Sequence, residues 1–332
     1  MKTKDTLYLY SSARVRTLEN NLLSRDSLDK LIDAPSFQDM AKLLSELGYH
    51  GLSEDPSQSL EKAISDERER IFSLMLKISP DPNIVRVFSL KYDYHNLKVL
   101  LKSTALGEGA GNLLLGSGEI PPSELESAVN NTDFSALDPI MREAAGQAYS
   151  ALALSKDPQA CDLALERAMY AQIHRVALES GSSFLYGYAA LITDAANLRS
   201  AVRAQRQGQS SDFISTVFFT GGNISVKNLI SAIGDGEALS NLFLGSFLED
   251  AALTGASILS GEGSFAEFER NCDNAIIRYL LDARYIPFGD APLIAFLGAK
   301  ENEFVNLRII TSSKKGNLPS EKIRERLRFT YV

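Results

Sequence analysis

The chain of 332 residues is long enough to bury a large core, and with 45% hydrophobic and 23% charged residues it is neither disordered nor collagen-like nor mucin-like. A formal net charge of −8, from 42 acids against 34 bases with no basic block, argues against a nucleic-acid partner. Two cysteines, Cys161 and Cys272, outside any Cys-x-x-Cys spacing, exclude a disulfide framework and fit a reducing compartment.

The start, Met1-Lys2-Thr3-Lys4-Asp5 before Leu7-Tyr8-Leu9-Tyr10, is too short and polar for a secretory segment. A first amphipathic helix is expected where Ala13, Val15, Leu18, Leu22 and Leu23 share a face, and a second over 28–32. A third opens after Pro35, with Ser36 as N-cap and Asp39 in its first turn, and Gly48 supplies its left-handed stop. Residues 49–59 read as loop, 60–78 as a long charged helix closed by Pro80-Asp81-Pro82, and the next helix runs through Val85, Phe88 and Leu90 to Lys102. The glycines at 107–111 have no strand before them and no Lys-Ser/Thr after, so they read as a connection, not a phosphate cradle. Ser123 with Glu126 forms a capping box opening a helix to Asn131, and helices over 138–156 and 158–180 follow, the latter starting at Asp157-Pro158. Alternation of period two is confined to 213–219, so the fold class is all-α. The longest apolar stretches, such as 291–299, fall far short of the ~18 residues that span a bilayer, so membrane association is expected only through partners.

Three stretches organise the chain: Asp93-Tyr94-His95-Asn96-Leu97-Lys98, Asp194-Ala195-Ala196-Asn197-Leu198-Arg199 and Glu303-Phe304-Val305-Asn306-Leu307-Arg308. Their asparagines stand 101 and 109 residues apart, so a large unit is used three times, unlike a solenoid of ~34-residue repeats. A second cassette recurs behind each, at Gly118-Glu119-Ile120-Pro121, Gly222-Asn223-Ile224-Ser225 and Gly316-Asn317-Leu318-Pro319, with a partial fourth copy where 27–34 resembles 225–232. A further echo pairs Leu165-Glu166-Arg167 with Phe268-Glu269-Arg270. The units are placed at 1–107, 108–212 and 213–332, forming one compact three-part body.

A search for chemistry finds no catalytic, cofactor-binding or metal-ligating set. His50, His95 and His174 lack a second ligand at metal spacing and read as surface or packing residues, and no nucleophile elbow, Walker loop or dinucleotide fingerprint is present. In the repeated stretch the acid and the Asn, three apart, share a helix face while the base points elsewhere. Two readings stay open. Asp93, Asn96, Asp194, Asn197, Glu303 and Asn306 fix how the units pack, and Lys98, Arg199 and Arg308 are partner-contact candidates.

These stretches, with Pro292-Leu293-Ile294-Ala295-Phe296-Leu297, Ala299-Lys300-Glu301-Asn302 and Ile323-Arg324-Glu325-Arg326-Leu327, resemble the C subunit of archaeal and bacterial V/A-type rotary ATPases, the counterpart of the d subunit in vacuolar ATPases. The similarity runs from about residue 7 to the C-terminus and departs from the pattern at Glu303, where the other copies carry Asp. The resemblance implies a funnel of three similar units about a pseudo-threefold axis with a central cavity. It implies a non-catalytic socket without cofactor, joining D/F-type shaft subunits to a c/K/L-type membrane rotor ring on the cytoplasmic face and transmitting torque for ion-coupled ATP hydrolysis or synthesis. A soluble helical scaffold unrelated to a rotary machine accounts for the triplication equally well, and an enzyme with a site assembled from dispersed polar residues is a third reading.

Overall fold

The computed structural model describes residues 5–53 and 56–332, and every regular element among them is helical. Three pairs of long helices form the frame. Each pair has an outgoing helix, a short turn and a returning helix: α4 (Pro56–Ile78) with α5 (Asn83–Leu106), α8 (Pro158–Ser180) with α9 (Ser183–Arg206), and α14 (Phe265–Leu281) with α15 (Ala291–Lys315). Shorter helices fill the intervals: α1 (Leu9–Glu19), α2 (Arg25–Asp33) and α3 (Phe37–Glu46) before the first pair, and α6 (Pro122–Asn131) and α7 (Pro139–Leu154) before the second. Before the third come α10 (Ser211–Thr216), α11 (Val226–Ser231), α12 (Gly236–Asn241) and α13 (Glu249–Ser260), and α16 (Ser320–Arg326) follows it. Among the described residues no helix is long and apolar enough to cross a membrane.

Local chemistry sets most helix ends. Ser36 caps α3 by accepting from the Asp39 N–H, Asp157 caps α8 by accepting from Gln159 and Ala160, and Gly48 follows α3 at φ 94°. Two expectations fail for tertiary reasons. The first helix stops at Glu19, before Leu22 and Leu23, because the Leu23 N–H is taken by Glu303 Oε2 at 2.7 Å and leaves the helical ladder. Ser123 caps nothing. It lies inside α6, whose N-cap is Pro121, and Asp93 of α5 accepts the N–H groups of Glu119 and Ile120 just ahead of it. The alternating 213–219 segment is mostly helix α10, and α4 begins ahead of Leu60; Glu54 and Asp55 of the expected loop lie outside the described residues.

Each returning helix packs against the outgoing helix of the following pair: α5 on α8, α9 on α14, and α15 on α4 at the start of the chain. The contacts form a closed cycle of three seams. Cross-seam ion pairs fix the directions, since Lys98 and Lys102 of α5 meet Glu166 and Asp162 of α8 in reverse order, as Arg308 and Glu301 of α15 meet Glu61 and Arg68 of α4. Outgoing and returning helices are therefore antiparallel at the seams, and all three turns, near 79–82, 181–182 and 282–290, lie at one end of the molecule.

The cores follow the same plan. At the turn end one shared core joins the long helices through Phe72, Phe88, Val176, Tyr188, Leu280 and Phe296, with Phe88 and Tyr188 stacked at 5.0 Å. Away from it three further cores separate, one behind each seam, built around Leu97 and Leu165, around Leu198 and Phe268, and around Leu307 and Leu60. The third of these is assembled from opposite ends of the chain, α15 and α16 packing against α2, α3 and α4.

This closure corrects the register of the third cassette. Gly118 and Gly222 stand against the Asp93 and Asp194 carboxylates, where an added Cβ would lie 2.1 Å from an Oδ1. Gly316 faces no carboxylate. It ends α15, and the element that follows, α16, matches α10, since Arg167 bonds to the Thr216 carbonyl and Arg270 to the Glu325 carbonyl. The segment facing Glu303 is instead Leu22-Leu23-Ser24, and Ser24 caps α2 as Ser225 caps α11. The N-terminal echo is thus a full cassette, shifted by three residues from the sequence match. Gly118→Ala and Gly222→Ala are each expected to destabilise the protein by about 1–3 kcal/mol through overpacking against a buried carboxylate. Gly146→Ala in α7, where an added Cβ meets nothing, is expected to stabilise it by about 0.5–1 kcal/mol. Urea-unfolding midpoints of the three variants check both signs.

Candidate functional site

The six acid and asparagine positions act as backbone clamps. Asn96 donates Nδ2–H to the Leu115 carbonyl at 2.7 Å and accepts the Leu115 N–H at 2.8 Å. Asn197 does the same to Phe219 at 2.9 and 2.7 Å, and Asn306 to Arg328 at 3.4 and 2.8 Å. A carboxamide carries a donor and an acceptor side by side, so it can pair with both groups of one residue as a neighbouring strand would. One turn earlier, Asp93 accepts from Glu119 and Ile120, and Asp194 from Asn223 and Ile224, satisfying donors ahead of a helix start. Glu303, one methylene longer, accepts only Leu23 N–H with one oxygen. Its other oxygen accepts from Tyr49 and from Lys300, and no glycine is needed opposite it.

Burial raises the Asp93 carboxyl to about 6 against the opposing effect of its two backbone N–H donors, and burial raises Asp194 in the same direction. Both acids are pushed upward by burial while they accept backbone N–H groups.

The three bases lie on the seams. Lys98 pairs with Glu166 at 2.9 Å, Arg199 with Glu269 at 2.8 Å and Asp273 at 2.5 Å, and Arg308 forks onto both oxygens of Glu61 at 2.7 Å. Lys98 and Arg199 also line one cleft of about 280 Å³ with His95, Tyr170 and Arg203, whereas Arg308 stands apart on the third seam. The third seam shows a repeat that the sequence comparison missed: Leu60-Glu61-Lys62 occupies the place of Leu165-Glu166-Arg167 and Phe268-Glu269-Arg270. The leucine-glutamate-base order was visible, but amid the dense charges of α4 it carried no contrast.

The third seam differs in chemistry. In register with Asp93, Asp194 and Glu303, the buried Leu90 and Leu191 become Lys300, and in register with the seam glutamates Gln172 and Ala275 become Glu67 while Ile173 and Ile276 become Arg68. Lys300 bridges Glu67 at 3.1 Å and Glu303 at 2.7 Å. Arg68, 1% exposed, lies between the Tyr92 and Phe304 rings with its Nε 3.3 Å from Glu301, while Nε and one terminal nitrogen have no hydrogen-bond partner. Glu301 also holds Lys91 and the Tyr92 hydroxyl. Burial pushes Glu67 and Glu301 up, but Arg70 and Lys300 outweigh it at Glu67, as Lys91 and Arg68 do at Glu301, and both carboxyls stay below the usual range. Among the described residues no cluster of three metal-ligating side chains occurs.

Two outcomes follow from these electrostatics. Lys300→Leu leaves the buried Glu303 without its cation, while Glu67 keeps the Arg70 fork, and is expected to cost about 3–5 kcal/mol, part of which Glu303→Gln restores in the double variant; thermal unfolding of the two variants measures this. Because the folded Asp93 pKa lies above its ordinary 3.8, its contribution is fully present below pH 3.8 and is lost as pH rises through about 6. The stability of the native chain relative to Asp93→Asn should therefore fall from pH 4 to pH 6.5, by on the order of 2–3 kcal/mol, and then level off. Urea titrations across that range test the sign, since an advantage that grows with pH would mean that the N–H donors, not burial, dominate.

Comparison with known proteins places this architecture. Residues 11–326 match the family described as ATP synthase (C/AC39) subunit. The C subunit of the V-type sodium ATPase of Enterococcus hirae is 25% identical over 96% of this chain and 97% of its own length. The C subunit of the A-type ATP synthase of Methanocaldococcus jannaschii is 27% identical over 96% and 86%, and that of the V-type ATP synthase of Thermus thermophilus 23% identical over 96% and 97%. With a match that spans nearly its whole length, the chain belongs to the ATP synthase (C/AC39) subunit family.

Proposed function

We propose that the protein is a non-catalytic socket of a V/A-type rotary ATPase or ATP synthase, joining the central shaft to the membrane rotor ring and passing torque between them. The observation that carries the reading is the closed cycle of seams with every returning helix pointing the same way, which supports a funnel about a pseudo-threefold axis with two unlike ends. Close-packed helical cores have low compressibility and transmit strain, and the seam ion pairs resist sliding of one helix pair past the next.

The ends differ in surface chemistry. Around the turns the exposed side chains include Leu76, Leu178, Tyr186, Tyr285, Ile286 and Phe288, with Leu9 and Tyr10 of α1 tied to the third turn through Ser12 and Gly289. This end is assigned to the membrane ring. Exposed leucines occur at the far end too, at Leu106 and Leu154, but among Lys102, Arg203, Arg206 and Lys315 near the last turns of the returning helices. That end, with Lys98, Arg199 and Arg308 on the walls leading to it, is assigned to the shaft. The ion pairs that these three bases make within the chain set their direction, so a partner acid would be recognised by charges already held in place. Membrane attachment and location on the cytoplasmic face are then inherited from the ring.

Affinity for purified shaft subunits is expected to fall with rising salt and to be insensitive to Tyr285→Ser with Leu178→Ser. The same double substitution is expected to weaken association with detergent-solubilised ring by about tenfold or more. Salt-independent shaft binding, or ring binding unchanged by the double substitution, would remove the assignment of the ends, and failure to co-purify with either partner would favour an unrelated helical scaffold.

A further inference from the structure

The first two seams are each crossed by continuous chain. After the Asn96 clamp at Leu115 the backbone runs directly to the Asp93 clamp at Glu119 and Ile120, and after the Asn197 clamp at Phe219 to the Asp194 clamp at Asn223 and Ile224. At the third seam the two clamped segments are Arg328, near the C-terminus, and Leu23, beyond α1, and no peptide bond joins them. Separated walls at the first two seams stay tethered by a short loop and reclose at small entropic cost; at the third, only non-covalent contacts bring the ends back.

Those contacts are also of the kind that holds least firmly. Where the other seams bury leucine, isoleucine, glutamine or alanine, the third buries Lys300, Glu67 and Arg68, and buried ion pairs contribute less than well-packed apolar side chains of similar volume. Arg68 keeps two nitrogens without hydrogen bonds. A cleft of about 1150 Å³ runs alongside, lined by Leu22, Glu67, Arg70, Lys300 and Tyr331, so the seam is thinly covered on that flank.

We propose that the third seam is the built-in opening of the body: α15 and α16 part there from α2, α3 and α4 while the other two seams stay shut, so that a rod-shaped helical partner can enter from the side instead of being threaded end-on. The opening itself does not depend on the socket assignment; only the use made of it does.

Six backbone amides at equivalent places report it: Leu115 and Ile120 on the first seam, Phe219 and Ile224 on the second, Arg328 and Leu23 on the third. Hydrogen exchange on the intact protein under native conditions should show Leu23, whose acceptor Glu303 lies across the opening, exchanging about tenfold or more faster than its counterparts Ile120 and Ile224, while Arg328, held by Asn306 on the same wall, stays with Leu115 and Phe219. The variant Glu67→Gln/Arg68→Ile installs the α4 residues of the first seam, leaves the Lys300–Glu303 pair in place, and should slow Leu23 while leaving the other five unchanged. Fast exchange at Arg328 with Leu23 protected would be fraying of the tail and would overturn the proposal, as would equal protection at Leu23, Ile120 and Ile224. Should the variant fail to fold, the comparison among the six amides of the unaltered protein still decides, because fast exchange at Leu23, twenty residues inside the chain, does not arise from fraying of a terminus.

Discussion

The architecture depends on one interaction used three times, a buried asparagine on a long helix that takes both the N–H and the C=O of a residue in a passing segment. Buried backbone that belongs to no helix must find partners, or each orphaned group costs about 1–3 kcal/mol. Asparagine supplies a donor and an acceptor at strand-like spacing, whereas aspartate there would leave the carbonyl unpaired and leucine would leave both groups unpaired. The acid one turn earlier then takes the next free N–H groups and hands the chain to a new helix. The pair converts an irregular crossing into a fixed corner, and three corners set the three seams.

The third corner shows what the motif requires and what it tolerates. Its two clamped segments come from opposite ends of the chain, so the geometry is preserved although the covalent order is broken. The acid has lengthened to Glu303, the facing glycine is gone, and the oxygen freed by that change is bound by Tyr49 and Lys300. A seam closed without a peptide connection has acquired a buried charge network in place of apolar contacts. Such networks fix a unique register through the geometry of their hydrogen bonds while adding less stability than hydrocarbon would, a trade suited to a joint that must close in one way and still be able to open.

Function in this reading is mechanical and belongs to the surface. The long helices converge in one core at the turn end and diverge into three at the other, so the two ends of the body are built differently. The seam bases are held by acids of the same chain, which makes the wall between the ends stiff as well as polar. Cys161 and Cys272 are packed as small apolar residues, their thiols raised by burial to about 11 and about 12.

Local periodicity and self-similarity along the chain carry the helical class, the first long helix pair and the helix over 158–180, the ends at Ser36, Asp157 and Gly48, and the threefold use of the acid-x-x-Asn-Leu-base stretch. The sequence also carried Glu303 as the odd copy. What the motif binds is visible only in three dimensions, since the partners are backbone groups without a side-chain signature, about 20 to 30 residues away for five of the six positions and at the other end of the chain for Glu303. The tertiary structure likewise overruled the capping box at Ser123 and the cassette at Gly316, where a local pattern matched but a distant carboxylate set the register. It alone showed the last helix pair packed on the first, for contacts that join Arg308 to Glu61 and Arg324 to Asp29 leave no trace in the order of residues along the chain.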